Sequence, residues 1–318
     1  MRVDNYSVCV FAAVFSAITG CSSSSQYPAE GAVKSLLANT ERDLVFVEGG
    51  RFWLGDVGDE FGRPFVPIME NNKPTIKVEL DNFSILSKEV SWGEFLVFLQ
   101  DEGRADEYTV KNGFRNAVRL PIKTSDDPAS PNYEHKPARS PNYWEAENYC
   151  AWLAEKTGHP FALPTEAQWE YAARNRGRAI AYATDTGELE PDKYLQRRPI
   201  DPMQEVSGNV LIHSSSRVER RPVGSYPPNP LGLHDMTGNV PEWTRDWFQP
   251  GYNHLSSTNP VAEEPDEANP LTKSVRDLAG YGDHTGGLAT VYGRRAVNVN
   301  SPNQGFRCVV NHPEPINS

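Results

Sequence analysis

The chain has 318 residues, with 31 Lys and Arg against 42 Asp and Glu, so its formal net charge is −11. An acidic surface argues against nucleic acid as a partner, and the basic clusters at Arg197 and Arg198 and at Arg217, Arg220 and Arg221 lie among Asp and Glu as solvated loop charges. With 24 Gly and 26 Pro, irregular structure should dominate, and helices should be few and short.

Residues 1–20 read as a leader. Val8 to Thr19 is apolar but too short to span a hydrocarbon core of about 30 Å, and it runs into Ile18-Thr19-Gly20-Cys21. That tetrapeptide resembles a bacterial lipobox: small residues before a cysteine suit cleavage at Gly20 and acylation of the Cys21 thiol. An ordinary cleaved secretory signal is the alternative, since Arg2 is offset by Asp4. The SSSS run that follows is a flexible tether, assigned to residues 21–40, and one domain is expected over 41–314, with no repeat or linker to divide it.

Within that domain, strands are predicted at Leu44 to Val47, Arg51 to Leu54, Ile76 to Leu80, Phe83 to Ser87 and Phe306 to Val310 from β-branched and aromatic enrichment. Three helices carry their own capping signals. Ser91 to Gln100 has Ser91 as N-cap with Glu94 three later; Asn142 to Lys156 has Asn142 with Glu145 and then Gly158; Thr165 to Arg174 has Thr165 with Gln168. In the second, Ala146, Tyr149, Cys150 and Leu153 recur at three- and four-residue steps, which turns Cys150 to the core. Thr184 to Arg217 and Pro250 to Leu271 are polar and read as exposed insertions.

Pro222 to Trp247 reads PVGSYPPNPLGLHDMTGNVPEWTRDW, too rich in turn residues for a helix or a long strand. Gly232, Gly238 and Asn239 supply positive-φ positions, Pro227, Pro228 and Pro230 fix φ, and Trp243 and Trp247 anchor the loop. An ordered loop of this kind can turn carboxylates and carbonyls to a common point, as a hard cation such as calcium requires. A metal-free loop in which Asp235 caps the following turn is the alternative.

The segment GLHDMTGNVPEWTRDW resembles the GLYDMxGNVWEWTxDW signature of the formylglycine-generating, or sulfatase-modifying factor, domain family. FVEGGRFWLGD (Phe46 to Asp56), KEVSWGEFLVFL (Lys88 to Leu99), PNYWEAENYCAWL (Pro141 to Leu153), ALPTEAQWEYAAR (Ala162 to Arg174) and GFRC (Gly305 to Cys308) match further family blocks in order. The resemblance implies a single irregular α+β domain related to C-type lectins, with few short helices and strands. It also implies a calcium site made by the side chains of Asp235 and Glu242 and the carbonyls of Gly238 and Val240. Pro241 stands where the family usually has Trp, and of a second family site only Asn209 and Val210 have counterparts.

Of four cysteines, Cys9 leaves with the leader, Cys21 is acylated, and Cys150 and Cys308 remain in the domain. Two cysteines in an exported domain usually mean one disulfide, and both match a structural pair of the family. The reading in which they form a redox pair conflicts with the buried face of Cys150. Formylglycine-making members carry a further reactive pair that binds copper, upstream of GFRC; here that region has no cysteine and no RGGSW, so that activity is not expected. Without that pair copper is not expected, and iron is not expected because the seven histidines are scattered without ligand spacing. Asp283, His284, Tyr292 and Arg295 fall where the family's cleft would lie. Their alternative is a Gly-rich surface loop.

The expected protein is a lipoprotein on the periplasmic face of the outer membrane of a Gram-negative bacterium, a non-catalytic binding or scaffold component with an envelope protein or peptide as partner. The alternative is a cysteine-independent periplasmic enzyme of the pyoverdine-maturation type, acting on a peptide or small molecule.

Overall fold

Short capped helices alternate with short strands in the computed structural model, which describes residues 30–105, 109–111, 119–121, 126–129, 133–139, 142–189, 220–278, 289–302 and 304–316. In chain order the elements are α1 (Glu30–Arg42), β1 (Leu44–Val47), β2 (Gly50–Leu54), β3 (Ile76–Leu80), β4 (Phe83–Leu86), α2 (Trp92–Asp101), β5 (Thr109–Lys111) and β6 (Arg119–Pro121). Then come α3 (Tyr143–Thr157), β7 (Phe161–Ala162), α4 (Glu166–Ala173), β8 (Glu242–Trp247), β9 (Thr272–Arg276), β10 (Arg294–Asn298) and β11 (Val309–Val310). This is the irregular α+β architecture the sequence implies.

The helix starts form as their capping residues dictate. Ser91 and Thr165 each accept from the backbone N–H three residues on, while the side chains of Glu94 and Gln168 reach back to the cap N–H, two complete capping boxes. Asn142 accepts from Glu145 N at 3.0 Å, and α3 ends at Gly158, whose φ of 74° needs no Cβ.

Two expectations are corrected. The tether assigned to residues 21–40 gives way at Glu30 to α1, which sets Leu36 into the core with Val33 and Leu37 against it. Those three residues follow helical spacing, which the preceding serine run obscures. The turn-dense segment also ends in a six-residue strand, β8, paired with β9. Trp243, Val275 and Val297 bury one side of the three-stranded sheet β10-β9-β8, a driving force that outweighs the turn-forming composition.

A four-stranded antiparallel sheet, β1-β4-β11-β7, separates two cores. Because strand side chains alternate, Leu86 and Val310 point to the core of α2 and α3, whereas Phe83, Ile85 and Val309 point to that of α4 and the β2-β3 pair. Cys150 and Cys308 are joined in the first core, both fully buried. The predicted Phe306-to-Val310 strand is shorter, because the segment ahead of β11 crosses to the β8 loop, where Trp243 N donates to Gly305 O and Gly305 N to Pro241 O. The Pro250-to-Leu271 insertion is irregular; its Ser257 and Asn259 bond the backbone of Glu79 and close the edge of β3. Of the other insertion, residues 190–217, including Asn209 and Val210, lie outside the described residues.

Candidate functional site

The turn-dense loop is built around positive-φ residues, as expected at Gly232 (91°), Gly238 (114°) and Asn239 (62°), and also at Asp235 (60°). Asp235 closes it by accepting from Gly224 N at 2.5 Å and Tyr226 N at 3.1 Å. Asn239 accepts from Arg221 N and donates to Glu89 Oε1. Val240 packs against the GFRC segment so closely that a Cβ on Gly305 would stand 2.5 Å from its Cγ1.

Glu242 begins β8 with its carboxylate wholly occupied. Arg307 Nε donates to both oxygens at 3.0 and 2.9 Å, Arg307 Nη2 to Oε1 at 2.6 Å, and Trp169 Nε1 to Oε2 at 2.9 Å. Arg307 also donates to Leu86 O and His234 O, so one guanidinium ties β4, the loop and β8. Nearby, Glu89 is pushed well above the usual carboxylate range by burial and then by the charge of Asp235.

This arrangement does not fit a calcium ion held by Asp235 and Glu242. Both oxygens of Glu242 belong to Arg307 and Trp169, and a dication there would face the guanidinium. Among the described residues no three carboxylate, imidazole or thiolate groups are placed to hold a metal. Arg307 supplies the positive charge at this point.

Of the four residues expected at the other site, Tyr292 and Arg295 are described. Asp283 and His284 lie outside the described residues. Tyr292 is fully buried, stacked on Phe65 at 5.1 Å with the Arg174 guanidinium 5.0 Å from its ring centroid, and its hydroxyl has no hydrogen-bond partner among the described residues. Arg295, three residues on, is exposed on β10.

Beside Tyr292 lies a buried ionic network that the sequence reading missed. Arg276 donates to Glu166 at 3.1 Å and to Glu170 at 2.8 Å, Arg294 Nε to Glu166 at 2.8 Å, and Arg174 to Glu170 at 2.7 Å. All five are essentially inaccessible, and they bind α4 to β9 and β10. Burial would raise Glu166, but Arg294 and Arg276 hold it down at about 2. Asp246, which accepts from Glu166 N and Ala262 N, is instead pushed up to about 7 by burial and the charge of Glu166. The available signal was the spacing of Glu166, Glu170 and Arg174, which places three charges on one face of α4.

Among the described residues an open cleft of about 620 Å³ lies beside Gly49 and Gly50, walled by Asn82, Gln168, Arg245, Asn259 and Asn311. Gly49 is required there, because a Cβ would stand 2.2 Å from Leu80 O.

The sequence matches the model of the sulfatase-modifying factor enzyme 1-like domain over residues 30–312. It is 34% identical over 310 residues to the formylglycine-generating enzyme of Streptomyces coelicolor, covering 84% of this chain and 88% of that one. It is 27% identical over 223 residues to the serine/threonine-protein kinase pkn1 of Chlamydia pneumoniae, covering 70% of this chain but 30% of the kinase, so it spans under a third of that relative. Among solved structures it is similar to PvdO from Pseudomonas aeruginosa, with a TM-score of 0.59 and 25% identity over 84% of this chain and 93% of PvdO.

Proposed function

The chain belongs to the sulfatase-modifying factor (formylglycine-generating enzyme) family, and from that premise we propose that it is an envelope-anchored lipoprotein whose domain is a non-catalytic binding or scaffold component. The observation that carries this reading is the disulfide between Cys150 and Cys308, both fully buried. A thiolate is the nucleophile and soft-metal ligand of cysteine chemistry, and a disulfide supplies neither. The only other cysteines of the chain are Cys9 and Cys21, in the segment read as leader and lipid-attachment site.

Anchoring through Cys21 follows from the same reading and is tested by metabolic labelling with a palmitate analogue. Label should enter the wild-type chain and be lost in Cys21→Ala. The scaffold role is tested by crosslinking in intact envelopes followed by affinity capture. Recovery of one stoichiometric protein partner supports it; recovery of a chemically altered small molecule without a protein partner contradicts it.

A second reading, a cysteine-independent periplasmic enzyme acting on a peptide or small molecule, is favoured by the similarity to PvdO over 93% of that chain. Its residues would be Tyr292 and Arg295 with Asp283 and His284. Tyr292→Phe separates the two readings, since it removes a hydroxyl that has no partner among the described residues and should leave partner capture unchanged.

A further inference from the structure

We propose that the cleft beside Gly49 and Gly50 binds a neutral saccharide chain. Its volume, about 620 Å³, lies within the range of small-ligand sites, roughly 300 to 1,000 Å³.

The lining concentrates carboxamides: Asn82, Gln168, Asn259 and Asn311. Three of them are fixed at both amide atoms. Asn82 accepts from Gly49 N and donates to Pro313 O; Asn259 accepts from Asp81 N and donates to Asp81 Oδ2; Gln168 accepts from Thr165 N and donates to Asn311 Oδ1. An amide oxygen carries two lone pairs and its nitrogen two N–H groups. Each amide fixed in this way therefore keeps one acceptor and one donor, held in place by the bonds already made. Sugar hydroxyls both donate and accept, so adjacent hydroxyls match adjacent amides, and pre-set partners reduce the ordering cost of binding.

Two ion pairs at the cleft are internally balanced and Asp81, held by a neutral amide, keeps its negative charge, which disfavours an anionic ligand. Glu79 meets Arg51 at 2.9 Å, Arg245 meets Glu263 at 2.8 Å, and Asp81 accepts from Asn259 at 2.8 Å. Two residues along β8 from Arg245, about 7 Å at the usual strand rise, stands Trp247, whose ring centroid is 6.4 Å from that of Trp144. Trp144 is 43% exposed. A saccharide leaving the cleft along β8 would find there an aromatic face for the apolar side of a sugar ring. The inference stands whether the domain is a scaffold or an enzyme.

The test is titration of the full mature chain with chitohexaose, cellohexaose and maltohexaose, followed by side-chain amide NMR and tryptophan fluorescence. At least one should shift the amide resonances of Asn82, Gln168, Asn259 and Asn311. The double variant Asn311→Ala with His312→Ala, which alters the rim of the cleft and should fold normally, should weaken that sugar about tenfold. Trp144→Ala should weaken the hexasaccharide more than its disaccharide. The proposal is overturned if none of the three sugars shifts these resonances at millimolar concentration, if the shifts map elsewhere, or if neutral tetraglycine produces the same shifts more tightly, which would make the cleft a peptide site.

Discussion

Arg307 grips Glu242 through both carboxylate oxygens, and both residues are fully buried. Removing one member of such a pair leaves an uncompensated charge in the interior, at a cost of about 3–5 kcal/mol. Glu242→Gln should therefore unfold at markedly lower denaturant than wild type, whereas a double change of Glu242 and Arg307 to apolar residues should recover part of the loss. Chemical denaturation of the two variants and wild type measures the difference. Equal midpoints for the single variant and wild type would show that the pair is not formed.

Because that guanidinium occupies the charge position of the loop, calcium should not govern stability. Treatment with a chelator is expected to leave Tm unchanged, and millimolar calcium should not raise it, since only a ligand of the native state stabilises by mass action. A calcium-dependent rise of several degrees would restore Asp235 and Glu242 as ligands.

The Gly of GFRC is explained by one contact. A Cβ at Gly305 would lie 2.5 Å from Val240 Cγ1, and overpacking of this kind costs about 1–3 kcal/mol. Gly305→Ala should destabilise by that order and Val240→Ala should rescue most of it. Additive losses in the double variant would mean that the clash is not the cause.

Stability should fall as pH rises from about 4 to about 7 and fall again under strong acid. Asp246, pushed up to about 7 by burial and the charge of Glu166, contributes fully below the ordinary carboxylate pKa of about 4 and loses that contribution as pH rises through about 7. Glu89, also raised, acts in the same sense. Glu166, held at about 2 by Arg294 and Arg276 against the effect of burial, contributes above about 4 and loses that contribution as pH falls through about 2. Thermal melts between pH 2 and pH 8 should therefore peak near pH 4, and a Tm rising steadily to pH 8 would contradict the assignment of Asp246 and Glu89.

What the sequence revealed about this fold was local chemistry. Ser91, Asn142 and Thr165 announce their helices because a cap is satisfied within three residues, and Gly158 announces an end for the same reason. The turn-dense loop was legible as a loop, but β8 within it was not, because its pairing with β9 joins residues far apart in sequence. Arg276 and Arg294 were illegible as core residues for a related reason: an isolated Arg reads as surface, and only the fold brings Glu166 and Glu170 to meet them. The carboxamide cleft was equally hidden, since Asn82, Gln168, Asn259 and Asn311 come from four separate segments.

The cysteine pair is the central claim. In the chain-entropy account, closing a separation of 158 residues is worth at most about 5 kcal/mol, and reduction should lower the unfolding midpoint accordingly. The most direct measurement is mass spectrometry of a sulfatase-motif cysteine peptide incubated with the purified chain, copper and oxygen, alongside a free-thiol count of the native domain. The account predicts an unmodified peptide and no free thiol at Cys150 or Cys308. Formylglycine in the peptide, or a reactive thiol at either position, would contradict it.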